Sequence, residues 1–232
     1  MTDPPSAVFS GFPPEAIQFL ADLAANNDRA WFQPRKADYE RWLKQPLEAL
    51  CVALDERFRA RGIPLQADAA RSPFRIYRDV RLSKDKSPYK THVSASFPWI
   101  ERAPGSEEMG NPGGYFHLAA GEAFVGGGLW HPPVIKLAAF RKAVMDDPSG
   151  VRRLLDEPEF ACRFGAISGD TLKRVPRGFP ADHPEAELLK LKDMTFGQRL
   201  SDEDVLSPRL PDVVAESLQV AVPIMGFLAR LA

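Results

Sequence analysis

Between Arg71 and Lys90 the chain places seven basic side chains, Arg71, Arg75, Arg78, Arg81, Lys84, Lys86 and Lys90, against two acidic ones, Asp79 and Asp85. This is a local excess of five positive charges in a protein of formal net charge −1. Guanidinium forks are planar and always charged, so they suit carboxylate or phosphate groups. Phe74, Ile76, Val80 and Leu82 alternate with Arg75, Tyr77, Asp79 and Arg81, the period of a strand with one packed and one polar face. On that reading Arg75 and Arg81 form the floor of an anion site, and Lys84, Lys86 and Lys90, with Tyr89 beside them, close over a ligand from the adjoining loop. Arg78 falls on the side of Ile76 and Val80, where an unpaired charge is expensive, so it requires a carboxylate partner. The same residues also suit an internal salt-bridge network with Tyr89 packed over an edge. Both readings stand open at this level.

Other chemistry is sparser. The four histidines, His92, His117, His131 and His183, lie on different elements with no metal-ligand spacing, and neither a metal nor a cofactor is expected. His92 and His117 fall where they can share a sheet face with Arg75 and Arg81, as acid or base near neutral pH or as half-buried strand residues. Gly126, Gly127 and Gly128 before Trp130 offer a run of free amides. They lack the Lys-Ser or Lys-Thr of a phosphate loop, so a bulge or a close backbone approach is the expected use. There is no Gly-x-Ser-x-Gly elbow. Cys51 sits among Leu47, Leu50 and Leu54 as an inert core thiol, and Cys162 lies far from it.

The elements that must hold these residues follow from period and punctuation. Pro13 and Pro14 open a helix carrying Ala16, Phe19, Leu20 and Leu23, which Asn26 and Asn27 end. A second stripe runs from Tyr39 and Trp42 to Leu54 and Phe58, is interrupted at Pro46, and closes at Gly62 and Pro64. Val93, Ala95 and Phe97 alternate with His92, Ser94 and Ser96 up to Pro98. Tyr115–Ala120 and Ala123–Leu129 flank a tight connection at Gly121 and Glu122, so a hairpin is expected. Helices are predicted from Val134 to Val144, over 150–155 and 159–164, and from Pro211 to Leu231 with Pro223 inside; Ser201 with Asp204 caps a short turn. The expected fold is α+β, an antiparallel meander of about four or more strands with helices packed from the N- and C-terminal parts. It is read as a single domain over 1–232: helical over about 13–62, sheet over about 73–130, and mostly helical over about 133–232.

Composition narrows the function classes. Hydrophobic residues make up 44% and charged residues 26%, which permits a substantial core. A near-neutral charge gives no global field to hold a polyanion, which disfavours nucleic acid, and no apolar run has the roughly 20 residues that span a bilayer. Met1–Ser10 lacks a basic start followed by an apolar run, so the expected setting is cytoplasmic.

Several motifs occur together: Phe9-Ser-Gly-Phe12, Asn26-Asn27 with Trp31-Phe32, Arg75-Ile-Tyr-Arg-Asp-Val-Arg81, Ser83-Lys-Asp-Lys-Ser-Pro-Tyr-Lys90, Gly126-Gly-Gly-Leu-Trp130, and Lys173-Arg174 with Pro176, Gly178 and Phe179. In these the chain resembles the family catalogued as domain of unknown function 2461 over nearly its whole length. Leu82 stands where the family pattern implies an aromatic. The resemblance implies a soluble, single-domain protein and supplies no catalytic residues. Three functions are therefore expected in order: binding of, or catalysis on, a small anionic ligand; docking of an acidic partner protein; and nucleic-acid binding with Tyr77, Tyr89 or Trp130 stacking on bases.

Overall fold

Prolines set where the helices begin. Pro14 opens α1 (Pro14–Ala25), where its missing N–H leaves no bond unmade, and the helix buries Ala16, Phe19, Leu20 and Leu23. Asp28 then caps α2 (Arg29–Phe32) by accepting from the Trp31 amide at 2.8 Å. After α3 (Lys36–Tyr39) the chain makes a π-helical turn over Glu40–Lys44, and α4 (Gln45–Ala60) follows with Pro46 in its first turn. The interruption expected at Pro46 is thus absorbed as a widened turn: Pro46 has no N–H for the Trp42 carbonyl, and Gln45 donates to the Glu40 carbonyl instead.

The computed structural model describes residues 8–100 and 110–231, which fall into two compact units. The first comprises 8–97, 115–125 and 199–216; the second comprises 98–100, 110–114, 126–198 and 217–231. The antiparallel sheet has the order β1-β2-β3-β4, with β1 (His92–Pro98), β2 (Gly113–Ala119), β3 (Glu122–Leu129) and β4 (Met194–Arg199).

Within the first unit, Phe97, Phe116 and Val125 are buried in a core shared with α4 and with the segment before α1, where Phe58 meets Phe97 edge-on and Phe12 stacks on Phe116. Each such side chain contributes roughly 1.5–3 kcal/mol of burial. A capping box between Ser201 and Asp204 starts α9 (Asp202–Leu206) as expected. Arg57 and Arg61 both reach Asp212 in α10 (Leu210–Val220).

The strand expected over Phe74–Leu82 is not formed. The segment runs beside β1 through one isolated bridge, Pro73 with Ala95, and folds back on itself through another, Tyr77 with Tyr89. Only Ile76 of the four apolar positions is buried; Phe74 is exposed and Leu82 is 101% exposed. Alternation alone misled because Asp79, Asp85 and Pro88 favour local turns over a continuous ladder. The fourth strand comes from 194–199 in the C-terminal part instead.

In the second unit, α5 (Val134–Asp146), α6 (Pro148–Leu155), α7 (Pro158–Phe164), α8 (Ala186–Lys190) and α11 (Val222–Ala229) pack around Phe140, Phe160, Leu189, Met194 and Met225. Buried Lys136 donates to the Ala229 and Leu231 carbonyls, satisfying the C-terminal end of α11. The three glycines of β3 serve close approach, as expected: a Cβ on Gly128, whose φ is +114°, would lie 2.1 Å from the Met194 carbonyl oxygen. Among the described residues no single helix is long and apolar enough to cross a membrane; α10 and α11 together have the length and composition but are bent by 55° at Pro223's turn.

Candidate functional site

The basic segment separates into committed and uncommitted charges. Arg78, half-buried, pairs with Asp85 and reaches the Ser83 hydroxyl at 3.5 Å, so the expected carboxylate partner is present. Arg81 forks onto Asp79 at 2.6–3.2 Å and is otherwise exposed; it turns to its own loop and does not join Arg75. Lys86 donates to the Val80 carbonyl at 2.9 Å, and Asp85 accepts from the amide and hydroxyl of Ser87. Hydrogen bonds from Ser87 and Arg78 hold the Asp85 carboxyl well below the usual carboxylate range. Lys84 projects from this self-tied loop without a carboxylate among the described residues. The salt-bridge reading therefore accounts for Arg78 and Arg81.

Arg75 and Lys90 are different. Among the described residues neither is ion-paired with a carboxylate, although the charge of Arg75 is felt by Asp79, which Arg81 already holds. The Lys90 amide donates to the Ile76 carbonyl at 2.7 Å, which brings the two residues to neighbouring positions. The Lys90 ammonium lies 5.0 Å from the centroid of the Phe74 ring. Burial first, and then the charge of Arg75, lowers its pKa from the ordinary lysine value.

What fixes Lys90 lies one residue back. Tyr89 is 1% exposed and stacks on Phe32 at 4.0 Å, so it belongs to the core and offers a ligand no surface. Asn27 grips its backbone twice, donating to the Tyr89 carbonyl at 2.9 Å and accepting from its amide at 3.1 Å. Gln33 adds a bond to the phenol oxygen at 3.3 Å.

Beyond Lys90 the outward positions of three strands form a ring-lined face. His92 of β1 and His117 of β2 do share it, with ring centroids 4.4 Å apart. His117 stacks on Phe124 of β3 at 4.8 Å and meets the Tyr115 hydroxyl through Nδ1 at 3.1 Å. Tyr115 also contacts Phe74 and Phe124 and hydrogen-bonds Ser94. Burial, then His117 and Lys90, pushes the His92 imidazole down to about 4; burial also lowers His117, against an opposing pull from Glu122. Both rings are accordingly neutral near pH 7 and offer lone pairs rather than charge.

The structure thus brings together Arg75, Lys90, His92 and His117 from the expected set. It leaves Arg78, Arg81, Lys84 and Lys86 in a separate loop and Tyr89 in the core. Tyr115, Phe124 and Phe74 were not singled out from sequence. The signal for the first two was present, since they occupy the outward phase of strands whose inward phase is Phe116, Leu118, Ala123 and Val125. Among the described residues no group of three or more His, Cys, Asp or Glu side chains is arranged to hold a metal.

The family described as conserved hypothetical protein (DUF2461) matches residues 15–227. No curated protein and no solved structure matches the chain.

Proposed function

We propose, from the premise that the chain belongs to the DUF2461 family, that its first unit binds a small anionic ligand carrying a planar ring. The carboxylate or phosphate of the ligand meets Lys90 and Arg75, and its ring lies against the face of His92, Tyr115, His117 and Phe124. One observation carries this reading: Lys90, part-buried and without an ion-paired carboxylate, stands beside Arg75, whose acidic neighbour Asp79 is already forked by Arg81, at the edge of a half-buried face of rings. Partly desolvated Lys90 is repelled by its neighbour Arg75, and an anion placed between them relieves that repulsion. The neutral His92 imidazole adds one acceptor and one donor for a polar edge of the ligand, while His117 Nδ1 is taken by the Tyr115 hydroxyl.

The test is thermal unfolding with inorganic phosphate, benzoate and phenyl phosphate. Phenyl phosphate should bind most tightly, and at about 100 times its dissociation constant it should stabilise the protein by roughly 2.7 kcal/mol. Loss of the effect in the Arg75→Gln, Lys90→Met double variant locates the ligand here. An unchanged response in that variant, or no response to any of the three compounds, refutes the reading.

A second reading has its own support. The loop from Arg78 to Ser87 satisfies most of its charges internally yet leaves Leu82 wholly exposed among Arg81, Lys84 and Lys86, a shape suited to an acidic partner with an apolar recess. Reversing Lys84 and Lys86 to Glu should then abolish a complex that no small anion competes away. Nucleic acid is separated from both by salt: phosphate-backbone binding weakens steeply as salt rises.

A further inference from the structure

We propose that His131 and Asp193, in the second unit, form a ligand site independent of the anion site, in which His131 accepts a proton or hydrogen bond from a planar O–H or N–H compound stacked on Trp130. Asp193 is 3% exposed, and among the described residues no lysine or arginine pairs with it. Its Oδ1 accepts from the His131 amide at 2.6 Å and lies 3.2 Å from His131 Nδ1, while its Oδ2 accepts from the Asp170 amide at 3.3 Å. The neighbouring Asp170 carboxylate is occupied by Lys192 at 3.2 Å.

A buried carboxylate oxygen at this distance favours hydrogen on Nδ1 over a lone pair there. Nε2 is then the ring nitrogen through which a ligand is met. The His131 side chain is 64% exposed, so this nitrogen is accessible. The backbone supports a purpose beyond loop closure: His131 is the one non-glycine among the described residues with a positive φ, +49°. A side chain in that region is strained and persists where surrounding contacts enforce it, often at functional sites. Here the 2.6 Å bond to Asp193 enforces it and sets the imidazole 4.1 Å from the Trp130 ring. Trp130 is 75% exposed, a large aromatic surface available for stacking. The class of ligand follows from the pair: an aromatic or heteroaromatic ring for the indole, with one donor at its edge for Nε2. Asp193 acts as a positioning residue, holding the His131 amide and favouring one tautomer of its ring.

The experiment is a titration of the full chain, labelled with nitrogen-15 in its histidine and tryptophan rings, with 4-nitrophenol. This compound is planar, carries one O–H, and turns yellow on losing its proton. The free protein should show the Nδ1–H tautomer at His131. Addition of 4-nitrophenol should move the His131 ring and Trp130 indole signals together and saturably. His131→Asn keeps the amide that Asp193 holds and tolerates positive φ; it should weaken binding at least about tenfold while Trp130 remains. Asp193→Ala should convert His131 to the Nε2–H tautomer with a similar loss, and His131→Asn decides the matter if that variant does not fold. An Nε2–H tautomer in the unaltered protein, signals that do not move, or undiminished binding by His131→Asn overturns the proposal.

Discussion

At the scale of single residues, the decisive distinction is between charges that already have partners and charges that do not. Arg78 and Arg81 are held by Asp85 and Asp79 of their own loop, whereas Lys90 is partly desolvated beside Arg75 with the face of Phe74 as its nearest compensation. Without ligand, Lys90 is therefore a small liability. Lys90→Met should leave the free protein equally stable or up to about 1 kcal/mol more stable, because the aliphatic stem is kept and a repelled charge is removed. The same variant should abolish stabilisation by phenyl phosphate. Urea denaturation with and without that compound measures both effects. A clear destabilisation of the free protein would mean that Lys90 has a structural partner and is not held in readiness for an anion.

At the scale of elements, the question is how an irregular segment holds two cations at fixed positions. Residues 72–91 have two isolated bridges and a few backbone bonds, such as the Phe74 amide to the Ser94 carbonyl, instead of a continuous ladder, and side-chain clamps add to these, of which Asn27 on the Tyr89 backbone is the most direct. Asn27→Ala leaves a buried amide and carbonyl unanswered and should destabilise the protein by about 2 kcal/mol. It should also weaken anion binding by freeing Lys90, although Asn27 does not touch the ligand. Asn27→Asp, which keeps the acceptor for the amide and loses the donor, should fall between the two. In the sheet, Gly128→Ala should cost about 3 kcal/mol or more, because its Cβ meets the Met194 carbonyl and its φ of +114° disfavours any side chain. Denaturation midpoints test both, and a neutral Gly128→Ala would show that β4 can withdraw from β3 without loss.

How much of this was legible in the sequence depended on whether a pattern was local. The helices opened at Pro14 and Pro133, those expected over 150–155 and 159–164, the hairpin at Gly121 and the capping at Ser201 each declare themselves within a few residues, and each formed, the middle two starting earlier at Pro148 and Pro158. The phase of β2 likewise put His117 on the outward face where it meets His92. The strand expected over 74–82 failed because alternation describes a side-chain pattern and not a hydrogen-bonding partner; only the bridges at Pro73 and Tyr77 formed. Asp193 could not be paired with His131 beforehand, since they are 62 positions apart and nothing near Asp193 marks a buried carboxylate.

At the scale of the whole molecule, the ring-lined face makes stability depend on pH. The His92 imidazole has a folded pKa of about 4 against an ordinary 6.5, and that of His117 is also lowered. Between those values the unfolded chain binds protons that the folded chain refuses, so stability rises with pH across this window and is complete above about 6.5. As pH falls from about 6.5 toward about 4, the protein should lose on the order of 1 kcal/mol through His92, after allowance for solvent screening of this half-exposed ring. The carboxylates lowered by hydrogen bonds or ion pairs, Asp79, Asp85, Asp147 and Glu185, favour folding above the ordinary carboxylate values and withdraw that support only as pH falls through their own lower values. The two effects therefore occupy different ranges. Urea denaturation from about pH 7 to about pH 5 should show a falling midpoint in the unaltered protein and a flatter one in His92→Gln, which cannot take up a proton. Equal slopes in the two proteins would place the His92 imidazole in contact with bulk water and remove its part of the desolvated face on which the anion site is built.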